Sequence, residues 1–230
     1  MKLAALFPLI AFLAVAAPPA SEVEITAEPH HHLELENAYV RVFKVEVPPQ
    51  QATLMHRHRH DYVYVTLGAA AVSNEVEGKP PASMKLQDGE TNFLPGNFAH
   101  IARNLARTPF RNVTIELLQD KQARLVPPAK WDAERGMEVF AKGTKDIQFV
   151  KDGVRVSDIQ LQPGGRIPKH YHAGPHMLVA VSDVDLRSDT AGNTSIKMKA
   201  GDVVWLRGKL THAVINSGNQ PARFVTLEFK

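Results

Sequence analysis

"VRVFKVEVPPQQATLMHRHRHDY", residues 40–62, begins as an apolar-rich run, turns at a pair of prolines and closes on three histidines at alternate positions. "VRVSDIQLQPGGRIPKHYH", residues 154–172, repeats that plan. Val40, Arg41 and Val42 are matched by Val154, Arg155 and Val156, Pro49 by Pro163, and His56 and His58 by His170 and His172, all at an offset of 114. Further on the offset becomes 112, where Gly89, His100, Asn104 and Glu116 meet Gly201, His212, Asn216 and Glu228. A register that survives most of each half with one small slip is a duplication, and each copy is one structural unit.

Both units read as strands. "YVRVFKVEV", "DYVYVTL", "HMLVAVS", "DVVWL" and "RFVTLEF" are short, rich in valine and aromatics, and bounded by turn sequences such as "QPGG", "KAGD" and "NSGNQ". Their spacing is that of an all-β sandwich or barrel. The units span 25–120 and 146–230, joined over 121–145 by a linker in which "PAKWDAERGMEVFAKG", 128–143, is the one helical candidate.

Residues 1–20 combine Lys2, an apolar run from Leu3 to Ala17 and small residues at Ala14, Ala16 and Ala20, which is the pattern of a secretory signal peptide. The expected mature protein is periplasmic or secreted, with no membrane association after cleavage. It has no cysteine, so disulfides and thiolate chemistry are excluded and any metal site must be built from histidine and carboxylate. Losing Lys2 lowers the formal charge of +3 to +2, and no basic cluster of nucleic-acid-binding size is present.

Side chains at i and i+2 of a strand share a face. His56 with His58, and His170 with His172, can therefore place two imidazoles on one ion, while His100 and His212 supply a distant third at matching positions. Recurrence in both halves separates these histidines from scattered surface ones. "HHH", 30–32, is read as a solvated segment ahead of the first strand, although one of the three can reach a neighbouring site. Glu116 and Glu228 recur in the last strand of each unit, as barrel-lining acids or as partners of an arginine. Asn104 and Asn216 are expected to hold a turn, and Trp205 to be core.

The paired motifs resemble those of the cupin superfamily, and specifically an exported bicupin of the bacterial type without an assigned activity. The first cupin motif, glycine, five residues, "HxH" and a following glutamate, is matched by Gly164, His170 and His172; the second by Gly89, Pro95, His100 and Asn104, and by Gly201, His212 and Asn216. The resemblance implies two tandem cupin barrels, each a double-stranded β-helix or jelly roll. It also shows departures. The glutamate position falls on Tyr62 and His176 by an ungapped count, while a two-residue gap sets His60 against His176; strand phase does not choose between His60 and Tyr62. Asn97, Arg207 and Lys209 replace motif glycines or proline, so the turns there are expected to differ.

What the resemblance implies is an all-histidine metal site: His170, His172, His176 and His212 in the second half, and His56, His58, His100 and possible fourth ligand His60 in the first. Imidazole suits a divalent transition metal such as Fe, Zn, Mn, Ni or Cu. The expected function is a metal-dependent, oxygenase-like enzyme acting on a small molecule, with Tyr62 or Tyr64 donating a hydrogen bond to substrate. The alternative is a non-catalytic periplasmic protein that binds metal or a small ligand. Cupins commonly pair, so a homodimer is the default.

Overall fold

A computed structural model describes residues 21–119, 135–190 and 194–230. The signal peptide expected over 1–20 lies outside the described residues. The first half runs β1 (Val23–Glu24), a 3₁₀ turn (Ile25–Ala27), β2 (His31–Glu36), β3 (Val40–Val47), β4 (His56–His58), β5 (Tyr62–Leu67), β6 (Ala70–Val76), β7 (Ala82–Leu86), β8 (Thr91–Leu94), β9 (Phe98–Asn104) and β10 (Phe110–Leu117). The second runs β11 (Gly136–Phe140), β12 (Gly143–Lys151), β13 (Val154–Leu161), β14 (Arg166–His172), β15 (His176–Ala180), β16 (Val184–Ser188), β17 (Ser195–Met198), β18 (Val203–Leu206), β19 (Leu210–Asn216) and β20 (Ala222–Phe229).

Each half folds into two facing sheets. The first half orders them β2-β3-β10-β5-β8 and β1-β4-β9-β6-β7, and the second β11-β12-β13-β20-β15-β18 and β14-β19-β16-β17. Strand for strand these are the same barrel, β3 corresponding to β13, β4 to β14, β5 to β15, β9 to β19 and β10 to β20. The all-β, two-barrel architecture expected from the sequence is the one the chain adopts.

Alternation explains why these strands are apolar on both faces. In β3, Phe43, Val45 and Val47 turn into the first barrel with Ile25, Val72, Leu86 and Phe110. Val40 and Val42 turn the other way and join Val63, Val113 and Ile115 against Val154, Val156, Met177, Val225 and Leu227 of the second half. One continuous core thus lies between the two large sheets, and Trp205 packs at its edge beside Tyr39 and Phe229. Polar ties flank it: Lys44 reaches Asp202 at 2.9 Å, and Arg223 donates to the Asp88 carbonyl at 2.9 Å. Gly89 suits the turn there because its φ is +72°, and an added Cβ would lie 2.5 Å from the Arg223 guanidinium carbon, which would have to move aside.

Two expectations are corrected. The helix read over 128–143 is absent over its described part: Gly136–Phe140 is β11, paired antiparallel with β12, so strand begins inside the segment read as linker. Valine and phenylalanine in "GMEVF" favour an extended chain, and the β12 edge supplies the ladder. Residues 128–134 lie outside the described set. The turns expected to differ instead agree: Asn97 (φ 68°) and Lys209 (φ 58°) both take the left-handed conformation, as does Gln50 (φ 60°) where the second half has Gly164 (φ 73°). The backbone geometry persists where glycine does not.

Candidate metal centres

In the second barrel His170 and His172 stand on β14, and His212 faces His170 across the β14–β19 ladder. The register slips between Ile167 and His170, a bulge that accommodates Pro168, whose nitrogen cannot donate to a ladder. The Pro168 carbonyl accepts from His170 Nδ1 at 2.8 Å, Glu228 Oε1 from His172 Nδ1 at 3.0 Å, and His212 Nδ1 meets Ser188 Oγ at 3.0 Å. With each Nδ1 engaged outward, the three imidazoles offer their Nε2 atoms inward, and the candidate ligand atoms lie within 4.8 Å of one another.

The decisive contact is between His170 Nε2 and His172 Nε2, 2.8 Å apart. A carbonyl and a carboxylate can only accept, so both rings carry their proton on Nδ1 when neutral, and two bare lone pairs face each other. Such an approach calls for a proton or a metal ion between the two nitrogens. Burial lowers the pKa of His170, which disfavours that ring as the carrier of such a proton. His212 is pushed down to about 4 by burial and then by the neighbouring rings, and its Nε2 is buried without a partner. A metal ion would satisfy all three nitrogens, and the outer hydrogen bonds are of the kind that orient ligating histidines.

The first barrel keeps the plan with a different converging set: the ligand atoms within 4.8 Å of one another are those of His31, His56 and His58, and His100, expected as a ligand, stands outside that trio. His56 faces His100 across β4 and β9. His56 Nδ1 donates to the Leu54 carbonyl at 2.8 Å, and His100 Nδ1 to Asn74 Oδ1 at 2.6 Å. Leu54 and Asn74 sit at the offset of 114 from Pro168 and Ser188, so the supporting residues are duplicated with the histidines. The Nε2 atoms of His56 and His100 are buried and unpartnered. Burial lowers His58 and His100 well below the usual histidine range and brings His56 to about 4, which leaves neutral rings ready to ligate.

The question of the glutamate position is answered by register. Tyr62 pairs with Glu116 across β5 and β10, as His176 pairs with Glu228 across β15 and β20. Tyr62 stacks on His58 (4.1 Å, 20°) and His176 on His172 (3.8 Å, 15°). His60 lies in the half-buried bend after β4, outside the histidines that converge. His176 lines the site with its ring flat against His172, outside the converging trio.

The acids differ between barrels. Arg155 Nε donates to Glu228 Oε2 at 2.7 Å; burial would raise this carboxyl, but the bonds from His172 and Arg155 hold it well below the usual carboxylate range. Glu116 stands 3.6 Å from His58 and 3.5 Å from Arg41, and burial prevails, pushing its carboxyl up. The cavities differ more. About 570 Å³ opens over the second cluster, lined by Ile159, Ile167, Leu178, Leu206 and Phe224 with Lys145 and Arg155. The first encloses about 90 Å³.

Sequence reasoning did not single out His31, although it allowed that one histidine of 30–32 reaches a neighbouring site, and His31 does so. Read as part of a solvated segment, it is buried at the start of β2, its ring centroid 4.6 Å from that of His56. Glu28, Asn74 and Ser188, which support ring nitrogens, were missed as well. The offset of 114 offered a signal for the last two; none marked Glu28.

Residues 157–228 match the Cupin_2 family, a cupin domain. No curated protein matches the sequence significantly. Among solved structures, oxalate decarboxylase from Bacillus subtilis is similar with a TM-score of 0.60 at 13% identity, covering 84% of this chain and 68% of that one. AerE from Microcystis aeruginosa gives 0.61 at 12%, covering 88% and 98%. Another structure of the Bacillus subtilis oxalate decarboxylase, studied for its Mn(II) centres, gives 0.61 at 13%, covering 90% and 76%. At these identities the shared property is the fold, two tandem cupin barrels.

Proposed function

We propose that this chain, whose residues 157–228 match a cupin domain, is an exported metal-dependent enzyme that acts on a small molecule in its second barrel. The observation that carries the proposal is the 2.8 Å approach of His170 and His172 Nε2, with His212 beside them, beneath a cavity of about 570 Å³. Cavities of that size accept metabolites. Three protein ligands leave positions for substrate, the arrangement catalytic metal sites require.

A divalent transition metal bound there supplies Lewis acidity and, in oxygenase-like chemistry, a place where substrate and dioxygen meet. The protein residues do the rest. Glu228 fixes the tautomer of His172. The aliphatic wall suits the apolar body of a substrate, and Lys145, on the cavity lining, suits an oxygen-rich, anionic group, while Arg155 stays paired with Glu228. Tyr62, read as a donor to substrate, lines the small first cavity and packs on His58, so in this proposal it supports the ring and does not touch substrate.

The test is elemental analysis of untagged protein taken from its export compartment, with His172→Ala alongside, followed by oxygen-uptake screening against small aromatic and oxygenated acids. Metal lost from the second barrel together with turnover supports the proposal. Metal retained with no turnover on any acid favours the binding-protein reading, and a metal-free native protein overturns the enzyme proposal and leaves only small-ligand binding.

A further inference from the structure

In the first barrel an N-terminal arm lies against the histidine cluster. β1 pairs in parallel with β4, Val23 opposite His56, and ion pairs from Glu22 to Arg57 and from Glu24 to Arg59 tie the arm down. The chain then brings Glu28 into full burial, where Oε1 accepts the Leu54 amide at 3.1 Å and Oε2 the His30 amide at 2.9 Å. Oε2 also accepts from His31 Nδ1 at 2.6 Å. A buried carboxylate on Nδ1 turns Nε2 of the same ring away from it, as the Nδ1 bonds of His56 and His100 do for theirs. The ligand atoms of His31, His56 and His58 lie within 4.8 Å of one another; His100 is outside that trio, but its Nε2 is buried without a partner and its ring centroid lies 4.6 Å from that of His56 and 5.2 Å from that of His58.

We infer that His31 is a metal ligand, completing with His56, His58 and His100 a four-histidine shell in the first barrel, and that Glu28 is its positioning residue. The inference rests on reading the histidine clusters as metal sites. Its consequence is a division of labour. Four protein ligands close a tetrahedral ion and make the site structural, in keeping with a cavity of about 90 Å³. In the second barrel the same place is held by Lys145: it pairs with Ile159 across β12 and β13, as His31 pairs with Val45 across β2 and β3, and Val45 and Ile159 are related by the offset of 114. A lysine there leaves the second site open.

The experiment is Co(II) titration of metal-stripped, full-length protein, followed by visible absorption and stoichiometry. Wild type is expected to take two ions per chain. His172→Ala is expected to take one, with the intense absorption of four-coordinate cobalt. Adding His31→Gln to His172→Ala is expected to weaken that ion about 100-fold and change its spectrum, and adding Glu28→Gln to weaken it about 10-fold, on the scale of lost supporting contacts. Circular dichroism and melting of each variant identify one that fails to fold; if His31→Gln is that variant, Glu28→Gln in the His172→Ala background decides, a weakened ion with a changed spectrum supporting the inference and an unchanged one overturning it. Unchanged affinity and spectrum in His31→Gln overturn it while leaving the metal sites standing. Cobalt bound by wild type but not by His172→Ala leaves only the second barrel loaded, which also overturns it. No cobalt in wild type removes this inference and the proposed function together.

Discussion

His172 and His58 occupy equivalent positions, yet the acid behind each differs: a hydrogen-bonded carboxylate at 3.0 Å in one barrel, a buried carboxyl pushed up at 3.6 Å in the other. Glu228→Gln is therefore expected to lower metal affinity of the second site about 10- to 100-fold, and Glu116→Gln to change the first site less; metal-buffered titration of both variants checks the contrast. A pH dependence follows from the depressed histidines. His56 and His212 protonate near 4 and His176 near 3 when folded, because burial and neighbouring rings oppose the charge, whereas an unfolded histidine protonates near 6.5. Between those values the unfolded chain binds more protons, so stability of the metal-free protein falls as pH drops from 6.5 to 4. His56 alone contributes on the order of 3 kcal/mol to that fall. A melting temperature that stays flat from pH 7 to 5 would contradict it. At this scale the "HxH" pairs were legible because strand periodicity is local. His31 was not, since its neighbours His56 and His58 come from a distant strand and its burial depends on Glu28, which no pattern marks.

The strands of the duplicated core were legible as elements because their valine and aromatic content matched their burial. The segment at 136–140 was not, because its pairing with β12 outweighs a mixed local preference. Conformation at the turns was hidden for a related reason: three non-glycine residues hold φ between 58° and 68° where a glycine motif or its counterpart stands. Lysine pays a steric penalty in that region and asparagine little. Lys209→Gly should raise stability by about 1 kcal/mol, and Asn97→Gly should leave it nearly unchanged, both read from urea unfolding. The expected turn role of the asparagines corresponds to what the side chains do: Asn104 Nδ2 donates to the carbonyls of Val47, Pro48 and Thr108, and Asn216 Nδ2 to those of Leu161 and Gln220. Removing the buried Asn104 amide by Asn104→Ala is expected to destabilise by about 2–3 kcal/mol.

Across the whole molecule the duplication register announced two barrels, but it carried no information on which faces meet. That was settled by β3, β10 and their copies being apolar outward as well as inward. Because Ile115 is fully buried between the halves, Ile115→Ala should cost about 2–5 kcal/mol. Calorimetry should show both barrels melting in one transition, shifted to lower temperature by this substitution; two separated transitions would contradict the shared core. The faces that meet are copies of one another, β3, β5 and β10 against β13, β15 and β20, which is the self-complementary contact of a twofold dimer. Within a single polypeptide that contact no longer depends on protein concentration. It also frees each half from its twin's inheritance: in a pair of identical subunits every substitution strikes both pockets, whereas here one pocket can carry histidine and its counterpart lysine, so selection can sculpt a reagent beside a rivet.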